Sequence, residues 1–217
     1  MGARAAVATG LANSAVQIGD PELAGGALAA LATSTGFEPG IGVTERVVAD
    51  GMTSLQLGDV EGALARLVPV AGDGDDEVTS PYAQSALVLA LAAAGRRREA
   101  EQWHARIEAR PEATYLDRAM SRLGVELVRA RDGDEGTAER LGALIADLDG
   151  TDDRVAPAVA RLVEAMVLEA LRLPTSELAR QLAEQRLEDL GISAEGWRTI
   201  GRLALQADPA PLRDPVV

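Results

Sequence analysis

The sequence predicts an all-α fold, a solenoid of about five helix-turn-helix units followed by a capping helix. Three observations carry this expectation. Strong helix formers (Ala, Leu, Arg, Glu) dominate, while only 2% of the 217 residues are aromatic. A helix-breaking residue followed five positions later by Ala recurs at a near-constant interval. Between the breakers, apolar residues return every three or four positions, as a helix with one buried face requires.

The recurrence begins at Gly19-Asp-Pro-Glu-Leu-Ala24 and continues at Gly58-Asp-Val-Glu-Gly-Ala63 and Gly95-Arg-Arg-Arg-Glu-Ala100. Gly133-Asp-Glu-Gly-Thr-Ala138 is the fourth instance. Pro174-Thr-Ser-Glu-Leu-Ala179 is the fifth, with Pro where the others have Gly. The steps are about 39, 37, 38 and 41 residues, within the range of helical repeats. Each Gly ends a first helix because it accepts the left-handed conformation without a Cβ clash. A polar restart follows, clearest at Asp20-Pro21-Glu22, where Asp can cap, Pro can open the helix and an acid sits in the first turn. The Ala five residues after each breaker allows the paired helix to approach closely.

The second helices show one apolar face, as in Leu64, Leu67 and Val68, and in Leu141, Leu144, Ile145 and Leu148. Units are expected at about 3–36, 43–74, 81–111, 114–150 and 153–191, with a cap at 193–207 and a frayed tail at 208–217. Ser193 is placed to cap the last helix, which carries Trp197, Ile200 and Leu203 and is expected to cover the open face of the fifth unit.

Leu87 to Ala100, read as Leu-x3-Leu-x3-Gly-x3-Glu-Ala, resembles the tetratricopeptide (TPR) repeat. Leu55-Gln-Leu-Gly58-Asp-Val-Glu-Gly-Ala63 does so too. The earlier small residue of the first helix is clear at Ala12 and Gly51, whereas Val88, Glu126 and Val167 stand at the later equivalents. The usual aromatic positions are mostly not aromatic. The resemblance spans nearly the whole chain and implies a divergent, right-handed α-solenoid whose first helices line a concave face.

Composition excludes several functions. With no Cys there is no disulfide framework, thiol nucleophile or Cys-ligated metal, and one His cannot build a multi-histidine site. The net charge is −13 and every basic residue is Arg. That balance disfavours nucleic acid and anionic lipid, which need clustered cations. No apolar run is long enough for a membrane span, and no signal-peptide core forms, so a cytoplasmic chain is expected.

Individual candidates are weak. His104 lies between Glu101 and Glu108 on one helix face, which more simply reads as packing than as a general base. The acidic stretches 73–77 and 147–153 do not follow the EF-hand order. Arg96-Arg97-Arg98 opens a helix, where positive charge opposes the dipole. No catalytic constellation, metal site or cofactor is expected.

The resemblance points instead to a groove. Mapped through the turn residues, its lining is Val48, Met52, Leu55, Tyr82, Ser85, Leu89, Met120, Leu123, Leu127, Arg161 and Glu164. The apolar, Met-containing centre suits a protein or peptide partner. The expected function is therefore a non-enzymatic binding scaffold. The alternatives are a sensor or regulatory segment of a larger signalling or transcription-regulatory protein and, less favoured, an enzyme.

Overall fold

The computed structural model describes residues 2–32, 43–72 and 80–206. Among them the protein is entirely helical, with eleven helices and no strand. In chain order they are α1 (Gly2–Ile18), α2 (Pro21–Ala32), α3 (Val43–Gln56), α4 (Val60–Ala71), α5 (Pro81–Ala93) and α6 (Arg97–Ala109). Then come α7 (Tyr115–Arg131), α8 (Gly136–Asp149), α9 (Val155–Ala170), α10 (Ser176–Asp189) and α11 (Glu195–Gln206). The connection 36–42, the acidic stretch 73–77 and the tail 208–217 lie outside the described residues.

Each odd-numbered helix from α1 to α9 packs on the even-numbered helix after it. The turns between them share one hydrogen bond. The backbone N–H of Asp20 donates to Ala15 O, Asp59 to Ser54 O, Arg96 to Leu91 O, Asp134 to Arg129 O, and Leu173 to Leu168 O, all at 2.8–3.0 Å. This six-to-one bond closes a helix around a left-handed residue. That residue is Gly19, Gly58, Gly95 or Gly133 in the first four turns, with φ between 71° and 91°. In the fifth it is Arg172, with φ 54°. The expected breaker, Pro174, stands two residues too late.

The small-residue expectation holds in part. Ala24, Ala63 and Ala100 have no solvent exposure. Ala138 and Ala179 are only half-buried. In the fourth pair Thr137 is fully buried instead, because α8 begins at Gly136 and presents the neighbouring position.

The odd-numbered helices form the inner layer. They touch in the order α1–α3–α5–α7–α9, and α1 also reaches α9, so the row curves back on itself. Nearly all of α5 is buried, including Gln84 and Ser85, whereas α6 buries only Ala100 and Ile107. The even-numbered helices thus sit outside with one face solvated, where the acidic excess belongs.

The last helix does not simply cover the fifth pair. It lies on the inner layer, against α3, α5, α7 and α9. Gly196 N donates to Gly19 O at 2.8 Å, and the Trp197 indole N–H donates to Gln17 O at 2.8 Å. Its two glycines permit this depth. A Cβ at Gly196 would stand 2.6 Å from the Gln56 side chain, and one at Gly201 2.6 Å from Met166 Cε. Among the described residues no helix is long and apolar enough to cross a membrane.

Candidate functional site

The inner layer is where first helices would present a groove, and α11 occupies most of it. Val48, Met52, Leu55, Ser85 and Leu89 have no exposure, and Leu123 and Leu127 have 4% and 1%. These seven residues belong to the packed interior. A peptide has no open trough there.

Arg161 and Glu164 do not share that face. Arg161 pairs with Asp149 at the end of α8, and Glu164 approaches Gly142 of α8. Burial raises the Glu164 carboxyl above its ordinary range, with Arg161 opposing. The displacement follows from the fifth turn. Counted back from Arg172 rather than Pro174, the inward positions of α9 are Val159, Leu162 and Met166. Leu162 is 4% exposed, Val159 lines the cavity described next, and Met166 meets α11.

At one end of the inner layer α11 leaves a cavity of about 500 Å³. Helix starts meet there. Thr114 caps α7 by accepting from Asp117 N at 3.2 Å, while Asp117 Oδ2 accepts from Thr114 N and from its hydroxyl, both at 2.8 Å. Asp153 opens α9, accepting from Val155 N at 2.8 Å and Ala156 N at 3.0 Å. Pro81 opens α5 and sets Tyr82 in the wall. The C-terminal part of α1 adds Asn13 and Gln17, and α11 adds Trp197.

Three of the eleven expected groove residues line this cavity: Tyr82, Met120 and Leu123. The aliphatic part of the wall is Leu116, Leu148, Val155 and Val159. Two wall residues carry an oxygen that is sealed from solvent and has no hydrogen-bond partner, Asn13 Oδ1 and the Tyr82 hydroxyl. Burial pushes the Tyr82 phenol up to about 12, with Asp117 and Glu45 adding to it. Asn13 and Trp197 carried no groove signal in the sequence. The one hint was that Trp197 is one of only two Trp, on the apolar face of the final helix.

The other candidates resolve into structural roles. His104 Nδ1 lies 2.9 Å from Ser121 Oγ, and the Ser121 hydroxyl donates to Arg118 O at 2.9 Å. The imidazole therefore donates its Nδ1–H, and Ser121, with no exposure, is closed to any substrate. Burial lowers the His104 pKa, against a smaller raising effect of Glu108. Glu101 bonds Arg97 and Arg129 at 3.2 Å. Arg97 also pairs with Asp132 at 2.7 Å and Arg96 with Glu99, so two of the three consecutive arginines are held by carboxylates of this chain. Glu126, 1% exposed, is held by Arg129 and Arg140, both at 2.9 Å. Among the described residues no group of three or more His, Asp or Glu is placed to hold a metal ion.

No protein-family model, curated protein or solved structure matches the chain. Among the described residues, the class that the coordinates define is an all-helical protein of packed helix pairs with a cavity against its inner layer.

Proposed function

We propose that the chain is a divergent TPR-like α-solenoid that works by binding, as the sensor or regulatory part of a signalling system. Five helix pairs with the same turn hydrogen bond support the repeat reading. One observation carries the functional reading: α11 covers the inner face except at the 500 Å³ cavity, a size that takes small organic ligands. The cavity wall comes from α1, α5, α7, α8, α9 and α11. A bound molecule would tie early and late helices together, and its free energy would add to the stability of the closed arrangement.

Calorimetric titration with 1-naphthylmethanol tests this. The expected result is saturable binding at one site, lost in Val159→Phe, which fills the wall while helical content is retained. Absence of saturable binding by this probe and by its amine and carboxylate counterparts would reject the cavity as a ligand site.

A second reading, binding of a protein partner, has its own observation. Val7, Leu11 and Leu23 are 71%, 44% and 41% exposed around a shallow depression on the first helix pair. This face, rather than the filled inner one, is where a protein partner would dock. Sedimentation of the wild type against Leu11→Glu/Leu23→Glu tests whether the face associates. A monomer at all concentrations would remove self-association from this reading.

A further inference from the structure

We infer that copies of this chain associate head to tail, α10 of one copy docking on the α1–α2 face of the next. This rests on the second reading above, in which that face takes a protein, and it names the protein as a second copy.

The receiving face is apolar and almost uncharged. Val7, Leu11 and Leu23 stand in solvent around the depression between α1 and α2, and Gly26 and Ala30 also line it. Between positions 7 and 32 the only charged residues are Asp20 and Glu22, whereas charged residues make up 25% of the whole chain. At a net charge of −13 two copies repel over most of their surfaces, and this stretch is where they can meet without that cost. The glycines of the face point to a close neighbour. Among the glycines whose surroundings are described, Gly10, Gly25 and Gly26 alone combine a right-handed backbone with empty space where a Cβ would stand. Glycine weakens a helix interior, and no contact within the chain requires it at these three positions. Gly26 lies in the depression and Gly10 beside Leu11, where a second helix could approach closely.

The docking element is α10. Its Leu178 and Leu182 are 59% and 61% exposed. With the exposed Arg186 they follow one another at four-residue spacing and so share one side of the helix. Ala183 and Leu187 form its buried side, and α9 is the helix on which α10 packs. The leucine ridge matches the depression in chemistry, and the charges match as well. Arg180 is held by Glu177 and Glu184, whereas among the described residues no carboxylate pairs with Arg186 and no cation with Glu22. Docking would bring one cation to a face whose lining holds one carboxylate and no cation. The two surfaces belong to different helix pairs that do not pack on each other, so they meet between copies. A contact of this kind joins unlike surfaces and repeats, so association continues past the dimer.

Sedimentation velocity of the full chain over about 1–300 µM, the range of a small interface, tests this. The wild type is expected to grow beyond a dimer as concentration rises. Leu178→Glu/Leu182→Glu and Leu11→Glu/Leu23→Glu should each weaken self-association at least tenfold, since docking would bury the new carboxylates. Mixed together, the two variants should form a one-to-one dimer that grows no further, because each keeps one intact surface. Arg186→Glu and Glu22→Arg should each weaken association about fivefold, and the double reversal should restore it. The charge reversal decides the matter if a leucine variant does not fold. A wild type that stays monomeric would overturn the inference and leave the α1–α2 face open to a different protein. Association lost in Leu11→Glu/Leu23→Glu but unchanged in Leu178→Glu/Leu182→Glu would mean that the face pairs with its own twin, and would overturn the role of α10. No dimer in the mixture, or no rescue by the double reversal, would overturn it too.

Discussion

Trp197 donates its indole N–H to the carbonyl oxygen of Gln17 across 180 residues of chain, joining the last described helix to the end of the first. The ring lies against Gly19, where a Cβ would stand 2.7 Å from Trp197 Cδ1 and 3.0 Å from Ala194 Cα. Gly19 therefore meets two demands at once, a left-handed turn and a close approach. Gly58 has the same left-handed backbone but open space around it. Gly58→Ala should cost about 1–2 kcal/mol, the price of the backbone alone. Gly19→Ala should cost about 1–3 kcal/mol more, because the methyl group overpacks the indole. Urea unfolding of both variants measures the difference, and equal losses would mean that the indole contact carries no weight.

Truncating Trp197 itself removes most of the seal between α11 and α1. Trp197 is 5% exposed, and Trp197→Ala should destabilise by about 3–5 kcal/mol. Trp197→Phe keeps much of the apolar area but leaves Gln17 O without its donor, and should cost about 1–3 kcal/mol. The order Ala worse than Phe worse than wild type, read from denaturant midpoints, checks the assignment.

Arg172 pays a conformational cost that the four turn glycines avoid. It is exposed, and its φ of 54° places a Cβ where L-residues are disfavoured. Arg172→Gly should raise stability by about 0.5–1 kcal/mol, the steric relief exceeding the added freedom of the unfolded chain. A lower melting temperature for this variant would show that the Arg172 side chain makes an offsetting interaction.

His104 is the one histidine in the chain, and its folded pKa is lowered first by burial. The unfolded chain then binds the proton more readily. The contribution of His104 is complete above about pH 6.5 and is lost as the pH falls through the folded value. The raised pKa of Glu164 acts with the opposite sign, since the folded state takes up that proton more readily. The difference between wild type and His104→Gln isolates the histidine. Its unfolding free energy should narrow between pH 6.5 and 5, and a constant difference would remove the linkage.

Tyr82→Phe removes a sealed hydroxyl that has no partner. Without ligand it should leave stability unchanged or raise it by about 1 kcal/mol, unlike the usual loss on deleting a buried polar group. A loss of more than about 1 kcal/mol in thermal unfolding would mean that the hydroxyl is satisfied in solution.

Much of the fold was legible because its signals are local. A left-handed turn needs glycine within the turn itself, so Gly19, Gly58, Gly95 and Gly133 announce four of the helix ends. The three-and-four spacing of Leu141, Leu144, Ile145 and Leu148 announces a buried face, and all four residues are buried. Arg172 broke the pattern, since packing can hold a residue in a costly conformation with no trace in its own identity. That two-residue displacement puts Val159, Leu162 and Met166 on the inward face of α9, where Arg161 and Glu164 were expected.

By itself, the sequence determined an all-helical chain, the spacing of most of its turns and much of what its helices bury, though not the inward face of α9 or the place of Val68, which is 50% exposed; these signals depend on residues within one or two helical turns of each other. Only the tertiary structure decided what α11 buries its face against. The apolar stripe of Trp197, Ile200 and Ala204 requires a partner surface but does not name one, and the curvature of the inner layer makes that surface α3, α5, α7 and α9. The same curvature brings Asn13, Tyr82 and Trp197 to one cavity. Their proximity is a sum of small rotations between successive helix pairs, and no single stretch of sequence encodes that sum.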